Sequence, residues 1–436
     1  MMMKDVYWIY VVCGFLAIFM VAGGSSMPSH EHFIVFTSIS LLVLGAAVWR
    51  LRGLAITDLE LNALIILALC FGLMFLQLLP LPQSMWAVMG GRSFVVEGLA
   101  AAQISDSWHG LSLSPEATRQ DILALLPGAA TFIAMLTVPR EATMPIVLCI
   151  VGLAIVGLLL SAGHIGAPTA TGVFINPNFF AAQLYMAIPF AIYLAAHSRH
   201  NAITLFACAF GLVCVAGIGQ SGSRFGLLIA VAVTIASIFN SSRISRSLAA
   251  YGLIAITSLT VVILLFGGAG LERFIGFQTA LSLRAQMFNT SLEAMFSFLP
   301  AGSGFGSFVP VYQLFEAPAA VTPHFVNHAH NDWLELLIEG GVLAAVLMLA
   351  FLRWFGQMLN ANWHSNSELG KTATISALAV LLHSLADYPM RTPALLVLFA
   401  CCCGMMARAN VLRTYDVKAK PQWNLEPKIS HARAML

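Results

Sequence analysis

The chain predicts an all-α, polytopic membrane fold, a bundle of about twelve transmembrane helices with a long outer loop before the tenth, and three observations carry the prediction. Of the 436 residues, 59% are hydrophobic and only 9% charged, against about 25% charged in a soluble domain. Apolar stretches of the roughly 20 residues needed to span hydrocarbon recur along the whole sequence. The basic residues sort to one side of those stretches, as they do where a membrane sets the topology.

The spans fall near residues 6–24, 33–49, 62–80, 122–138, 145–162, 179–196, 202–219, 225–240, 248–267, 333–353, 373–388 and 394–410, separated by polar or Gly/Pro-bearing breaks. Lys4 followed by an apolar run ending in Val21-Ala22-Gly23 has the form of a secretory leader. With so many spans behind it, the run reads as a retained anchor. No internal repeat and no separate soluble domain stand out, so residues 1–436 read as one integral membrane domain.

With the N-terminus inside, only Arg92, Arg119, Arg224, Arg273, Arg284 and Arg391 of the 21 Lys and Arg fall outside. Both termini are therefore expected in the cytoplasm, with the basic tail at 411–436 lying against membrane lipids. All eight cysteines sit inside apolar spans, where they pack as small hydrophobes, and no disulfide framework is implied. A net charge of +2 is too small to suggest a nucleic-acid partner.

This topology puts the unusual polar segments, 82–121, 161–178, 220–224, 268–332 and 387–393, on the outer face. In Gln220-Ser221-Gly222-Ser223-Arg224-Phe225-Gly226 a small-residue turn opens a helix, whose free N–H groups favour a phosphate while Arg224 adds a two-pronged donor. The plainer reading is an arginine snorkelling to the interface. From Leu281 to Phe298 apolar positions recur at helical spacing, which predicts an amphipathic surface helix aiming Arg284 at a site or at headgroups. Pro300-Ala301-Gly302-Ser303-Gly304-Phe305-Gly306 is as glycine-dense as a dinucleotide fingerprint but lacks the βαβ setting, so it reads as backbone turning close to a ligand or a helix.

The stretch His328-Ala329-His330-Asn331-Asp332 ends the long loop just before an apolar helix at Trp333. With His324 it suits a zinc site, a histidine general base or plain surface histidines. Asp332 is placed to cap the helix, and Glu335 and Glu339 share a face from which they can orient a histidine or bind sugar hydroxyls. Asn176 and Asn178 either contact sugar or cap the sixth span, and Arg391 in Asp387-Tyr388-Pro389-Met390-Arg391 either lines the same vestibule or marks a simple helix-end turn.

Four segments in order resemble the bacterial O-antigen ligase and O-antigen polymerase family, covering about residues 171–394. They are Thr171-Gly172-Val173-Phe174-Ile175-Asn176-Pro177-Asn178; Ser221-Gly222-Ser223-Arg224-Phe225-Gly226; Arg284 with the glycine turn at 300–306; and His330-Asn331-Asp332-Trp333-Leu334-Glu335 with Glu339-Gly340-Gly341. The resemblance implies a metal-independent, cofactor-free glycosyltransferase of the bacterial inner membrane, working on the periplasmic side. It would move a glycan from undecaprenyl diphosphate to a hydroxyl of an acceptor glycan or of lipid A core. By the same resemblance Arg224 and Arg284 hold the diphosphate and His330 activates the acceptor, while Ser223, Asn176, Asn178, Asn331, Glu335 and Arg391 are expected around the substrates. Phe225 departs from the glycine of many members.

The chemistry agrees: arginines can stabilise a departing diphosphate, and an alcohol needs a base of near-neutral pKa. A flippase of lipid-linked sugars would also suit many spans and a basic outer cavity. It has less need of a histidine beside the arginines.

Overall fold

The computed structural model describes residues 3–26, 29–104, 107–139, 143–162, 171–198, 200–241, 252, 256–261, 270–321, 325–365 and 367–408. In chain order these form α1 (Met3–Ala22), α2 (His30–Leu51), α3 (Asp58–Gln77), a two-stranded ribbon of β1 (Pro80–Pro82) and β2 (Trp108–Gly110) enclosing α4 (Gln83–Trp86) and α5 (Ser93–Ala101), then α6 (Pro115–Ala124) and α7 (Leu126–Leu136). There follow α8 (Met144–Ala162), α9 (Pro177–His197), α10 (Asn201–Ser221), α11 (Arg224–Asn240), α12 (Gly270–Phe298), α13 (Phe308–Phe315), α14 (Asp332–His364), α15 (Glu368–His383) and α16 (Pro393–Arg408).

Eight helical stretches among the described residues are long and apolar enough to cross a membrane, and the shorter apolar helices α11 and α16 join them. The predicted ninth span, 248–267, lies mostly outside the described residues. The fourth begins earlier than expected, because α6 and α7 form one apolar stretch interrupted at Leu125. The eleventh stops at His383 instead of 388, where the Ser384–Asp387 turn precedes Pro389, a residue that cannot donate to a continuing helix. Among the described residues of the outer segment, the helix expected from Leu281 is longer, α12 reaching back to Gly270, and α13 follows the glycine turn. The antiparallel ribbon, pairing Pro80 with Gly110 and Pro82 with Trp108, departs from the all-α expectation.

Local signals set the helix starts. Thr57 and Glu60 form a reciprocal capping box on α3, with Thr57 N donating to Glu60 Oε2 at 2.8 Å and Glu60 N to Thr57 Oγ1 at 3.2 Å. Asn176 and Pro177 open α9, the asparagine oxygen accepting from Asn178 N at 2.9 Å and the proline supplying its preset φ where no N–H is needed.

Helix α9 is the centre of the bundle, buried almost continuously from Phe179 to Ala191, with α8, α10, α11 and α15 around it; α16 is buried along its length against α1, α7 and α15. Large apolar side chains such as Leu42, Leu159, Leu205 and Phe239 point outward, as a lipid-facing surface requires. The two ends of the bundle differ. At one, Ala394 N donates to Gly23 O at 3.1 Å and Ile175 N to Gly24 O at 3.4 Å, gathering the end of α1 with the starts of α9 and α16. At the other, Asp5 pairs with Arg50 at 2.8 Å and Glu60 with Arg408 at 3.6 Å.

The first end carries the glycine turn. Helix α14 breaks at Gly341, whose φ of 58° and ψ of −147° lie outside the helical region. The carbonyls released there are taken up by the turn: Ser303 N donates to Ile338 O and Gly304 N to Glu339 O, both at 2.9 Å, and Val342 N donates back to Pro300 O at 2.9 Å. Arg92, wholly buried, pins the same turn to the ribbon region, with Nη2 donating to Gly302 O at 3.2 Å and to Leu111 O at 2.6 Å. No carboxylate is paired with Arg92 among the described residues, and burial pulls its pKa down to about 10. The glycines therefore let backbone meet a broken helix, the second of the two readings the sequence allowed.

Candidate functional site

The site grows from the start of α14. Asn331, not Asp332, caps this helix, its side-chain oxygen accepting from Leu334 N at 3.0 Å, while Asp332 is the first helical residue. One residue earlier His330 sits at φ 49°, a left-handed backbone position that side-chain-bearing residues seldom adopt. The turn throws its ring toward the end of α15, where His330 Nδ1 and Asp387 Oδ1 lie 3.0 Å apart.

Asp387 is the residue the sequence reading missed, and it is where the site converges. Its Oδ1 also accepts from Tyr388 N at 3.0 Å, and Oδ2 accepts from the Asn178 side chain. Arg284 reaches it from α12, with Nη2 at 4.0 Å from Oδ2 and Nη1 donating to Ala386 O at 3.0 Å. Burial pushes the Asp387 carboxyl up, but the hydrogen bond from His330 and the neighbouring His330, His383 and Arg284 side chains outweigh it, so the group is held below the usual carboxylate range. An ionised Asp387 takes the proton on His330 Nδ1 as its hydrogen-bond donor and leaves Nε2 as an acceptor. The aspartate side chain is 1% exposed and the histidine 25%, so the free nitrogen belongs to the more open partner.

Ser223 and Arg224 form the neighbouring corner. Gly222, at φ 77°, ends α10, and Ser223 Oγ caps α11 by accepting from Gly226 N at 3.2 Å. Arg224 is exposed as the first residue of α11. Phe225, the departure from the family pattern, packs edge-on against His383 with ring centroids 5.3 Å apart, and His383 Nδ1 lies 2.9 Å from Tyr185 Oη. That contact sets the start of α11 beside the helix end that presents Asp387. Arg284, His330 and Asn178 thus meet on one carboxylate, and Arg224 stands at the adjoining helix start.

Other predicted contacts are taken up within the protein. Asn176 caps α9, and Asn331 Nδ2 donates to Leu385 O at 3.0 Å. Glu335 does orient a histidine, but the histidine is His328: Glu335 Oε1 lies 2.8 Å from its Nδ1, and Oε2 accepts from Ala329 N at 2.8 Å. Glu339 Oε1 accepts from Gly306 N at 2.9 Å. Arg391 is surrounded by Asp121, Asp332, Glu335 and Glu339, between 3.0 and 3.8 Å away. Burial alone would weaken its charge, but those four carboxylates outweigh that and hold it protonated. His324 lies outside the described residues, and no cluster of three or more His, Cys, Asp or Glu among those described is arranged as a metal site.

Residues 206–349 match the family model described as O-antigen ligase, a stretch that takes in Arg224, Arg284, His330 and Glu335 and ends before Asp387 and Arg391. No curated protein matches the chain. Over that stretch the chain is similar to the O-antigen ligase family that its motifs resemble.

Proposed function

We propose, with the family match over residues 206–349 as premise, that this protein transfers a glycan from undecaprenyl diphosphate to an acceptor hydroxyl, using His330 as base and Arg224 and Arg284 to hold the diphosphate. The acceptor is a growing glycan or lipid A core, and the reaction runs on the periplasmic side of the bacterial inner membrane with both chain termini in the cytoplasm. The observation that carries this reading is the meeting of His330 and Arg284 on one buried carboxylate, Asp387.

In the reaction the acceptor oxygen attacks the anomeric carbon as the bond from that carbon to the diphosphate oxygen breaks. The bonding pair leaves with the diphosphate, whose growing charge is met by the two guanidinium groups. The acceptor proton passes to His330 Nε2, and the imidazolium so formed is stabilised by Asp387 across Nδ1. No divalent ion is required, because the arginines supply the positive charge. Direct displacement inverts the anomeric configuration, and a product retaining it overturns this step. Asn178 positions Asp387, while Ser223, through its cap on α11, sets the direction of Arg224.

Purified protein in lipid nanodiscs, given a labelled lipid-linked glycan and an acceptor, is expected to release undecaprenyl diphosphate and form glycosylated acceptor. His330→Ala is expected to lower kcat by about 10²–10⁴-fold, and Arg284→Ala or Arg224→Ala by about 10²–10³-fold. An undiminished rate in His330→Ala overturns the role of the base. Movement of the donor across vesicle membranes with no glycan transfer would instead make the protein a flippase. In a deletion strain, loss of long glycan with a single repeat left on the core marks a polymerase; loss of all glycan from the core with donor accumulating marks a ligase.

A further inference from the structure

Arg391 has the strongest set of charged contacts among the described residues, and none is to the groups assigned above to the chemistry. Its Nη2 lies 3.0 Å from Glu339 Oε2 and 3.3 Å from Glu335 Oε1, its Nη1 3.5 Å from Asp121 Oδ2, and its Nε 3.8 Å from Asp332 Oδ1. The guanidinium is 17% exposed, and Glu335 and Glu339 are 1% exposed. All three of its nitrogens face carboxylates, so little of it is left for a substrate phosphate.

Two of these carboxylates reach the two halves of the His330–Asp387 pair. Glu335 holds the turn before α14, through Ala329 N and His328 Nδ1, both at 2.8 Å, and that turn carries His330. Asp332 Oδ2 holds the turn after α15, accepting from Ser384 Oγ at 2.7 Å and from Met390 N at 3.2 Å, and that turn carries Asp387. Arg391 joins Glu335 to Asp332 and is itself in the second turn. His330 keeps an unfavourable backbone conformation, φ 49°, which persists only where its surroundings over-determine it.

We infer that Arg391 is a positioning residue for the base: by clamping Glu335 and Asp332 it fixes the turn of His330 against the turn of Asp387, and it does not touch the donor. The inference rests on the transferase reading above. A lysine keeps the charge but not the planar fork that reaches several carboxylates at once, so Arg391→Lys loosens the clamp without removing its charge.

The test is a double-mutant cycle on the full-length protein in nanodiscs, with kcat and donor KM measured for the native protein, Arg391→Lys, Asp387→Asn and the double variant. Arg391→Lys is expected to lower kcat by at least about tenfold with donor KM within about twofold, and the double variant to be no slower than Asp387→Asn by more than about threefold. A raised donor KM with kcat kept would make Arg391 a donor contact and overturn the inference. Losses that multiply in the double variant would show Arg391 acting apart from the His330–Asp387 pair, and would also overturn it. If Arg391→Lys does not fold, Glu335→Gln takes its place in the cycle, cutting the same link while shedding a negative charge, with the same expected and opposing results. A native protein that transfers no glycan overturns the transferase reading itself and this inference with it, a result distinct from a multiplicative cycle in an active enzyme.

Discussion

His330 and Asp387 are 57 positions apart in the chain and 3.0 Å apart in space. Asp387→Asn keeps the shape of the side chain but offers a neutral amide where His330 needs an anion. It is expected to lower kcat by about 10²-fold or more while the protein still purifies folded, a sharper loss than a packing change at one surface turn would give. The acid stability of the native protein should report the same group. Because the Asp387 carboxyl is held below its ordinary value, its contribution to stability is present above the unfolded carboxylate pKa of about 4 and is lost as pH falls through the lower native value. The difference in melting temperature between native protein and Asp387→Asn should therefore shrink as the pH falls below about 4; a difference that persists in acid would count against an ionised Asp387. At this scale the sequence marks His330, Arg284 and Asn178 only as unusual polar residues in outer segments. In the sequence Asp387 stands only as part of a helix-end turn, since nothing local reveals which distant ring an aspartate will face. Asp332 suits the cap in the sequence as any polar residue before an apolar run does; Asn331 takes that role, its side-chain oxygen accepting from Leu334 N.

The break in α14 shows how much depends on two glycines at the level of elements. A Cβ added at Gly341, which has φ 58°, would run into the Pro300 carbonyl, and one at Gly302, with φ 79°, into the Glu339 carbonyl. Gly341→Ala is therefore expected to destabilise by more than the roughly 1 kcal/mol that a forbidden φ alone costs, and to lower the detergent melting temperature further than Gly356→Ala, a glycine of the same helix with open space around it. Equal melting temperatures would contradict the docking of turn and helix. Periodicity made the long helices legible, including the helical character of 281–298, because an apolar stripe repeats within one element. It did not make the docking of 300–306 on α14 legible, because that contact is backbone to backbone and leaves no side-chain pattern. The early end of α15 was missed for a related reason: apolar Leu385 and Ala386 continue the hydropathy of the span, while the turn and Pro389 end the helix.

For the molecule as a whole, the division into two unlike ends leads to a topological expectation. With the site end outward, Val88→Cys, at a position 83% exposed, should react with a membrane-impermeant maleimide in intact cells, and Arg52→Cys only after lysis. The opposite pattern would invert the orientation. Hydropathy makes the helical bundle legible, since it follows from solvation by lipid and needs no partner in sequence. The ribbon at 80–82 and 108–110 was not, being too short for an alternating pattern and carrying two prolines. The burial of Arg92 bears on redesign. Because its guanidinium is bonded to carbonyls at Gly90, Leu111 and Gly302, the stretch between α3 and α6 and the turn before α13 behave as one graft. A chimera that imports one without the other would strand a buried cation, so any exchange of either piece should move both together.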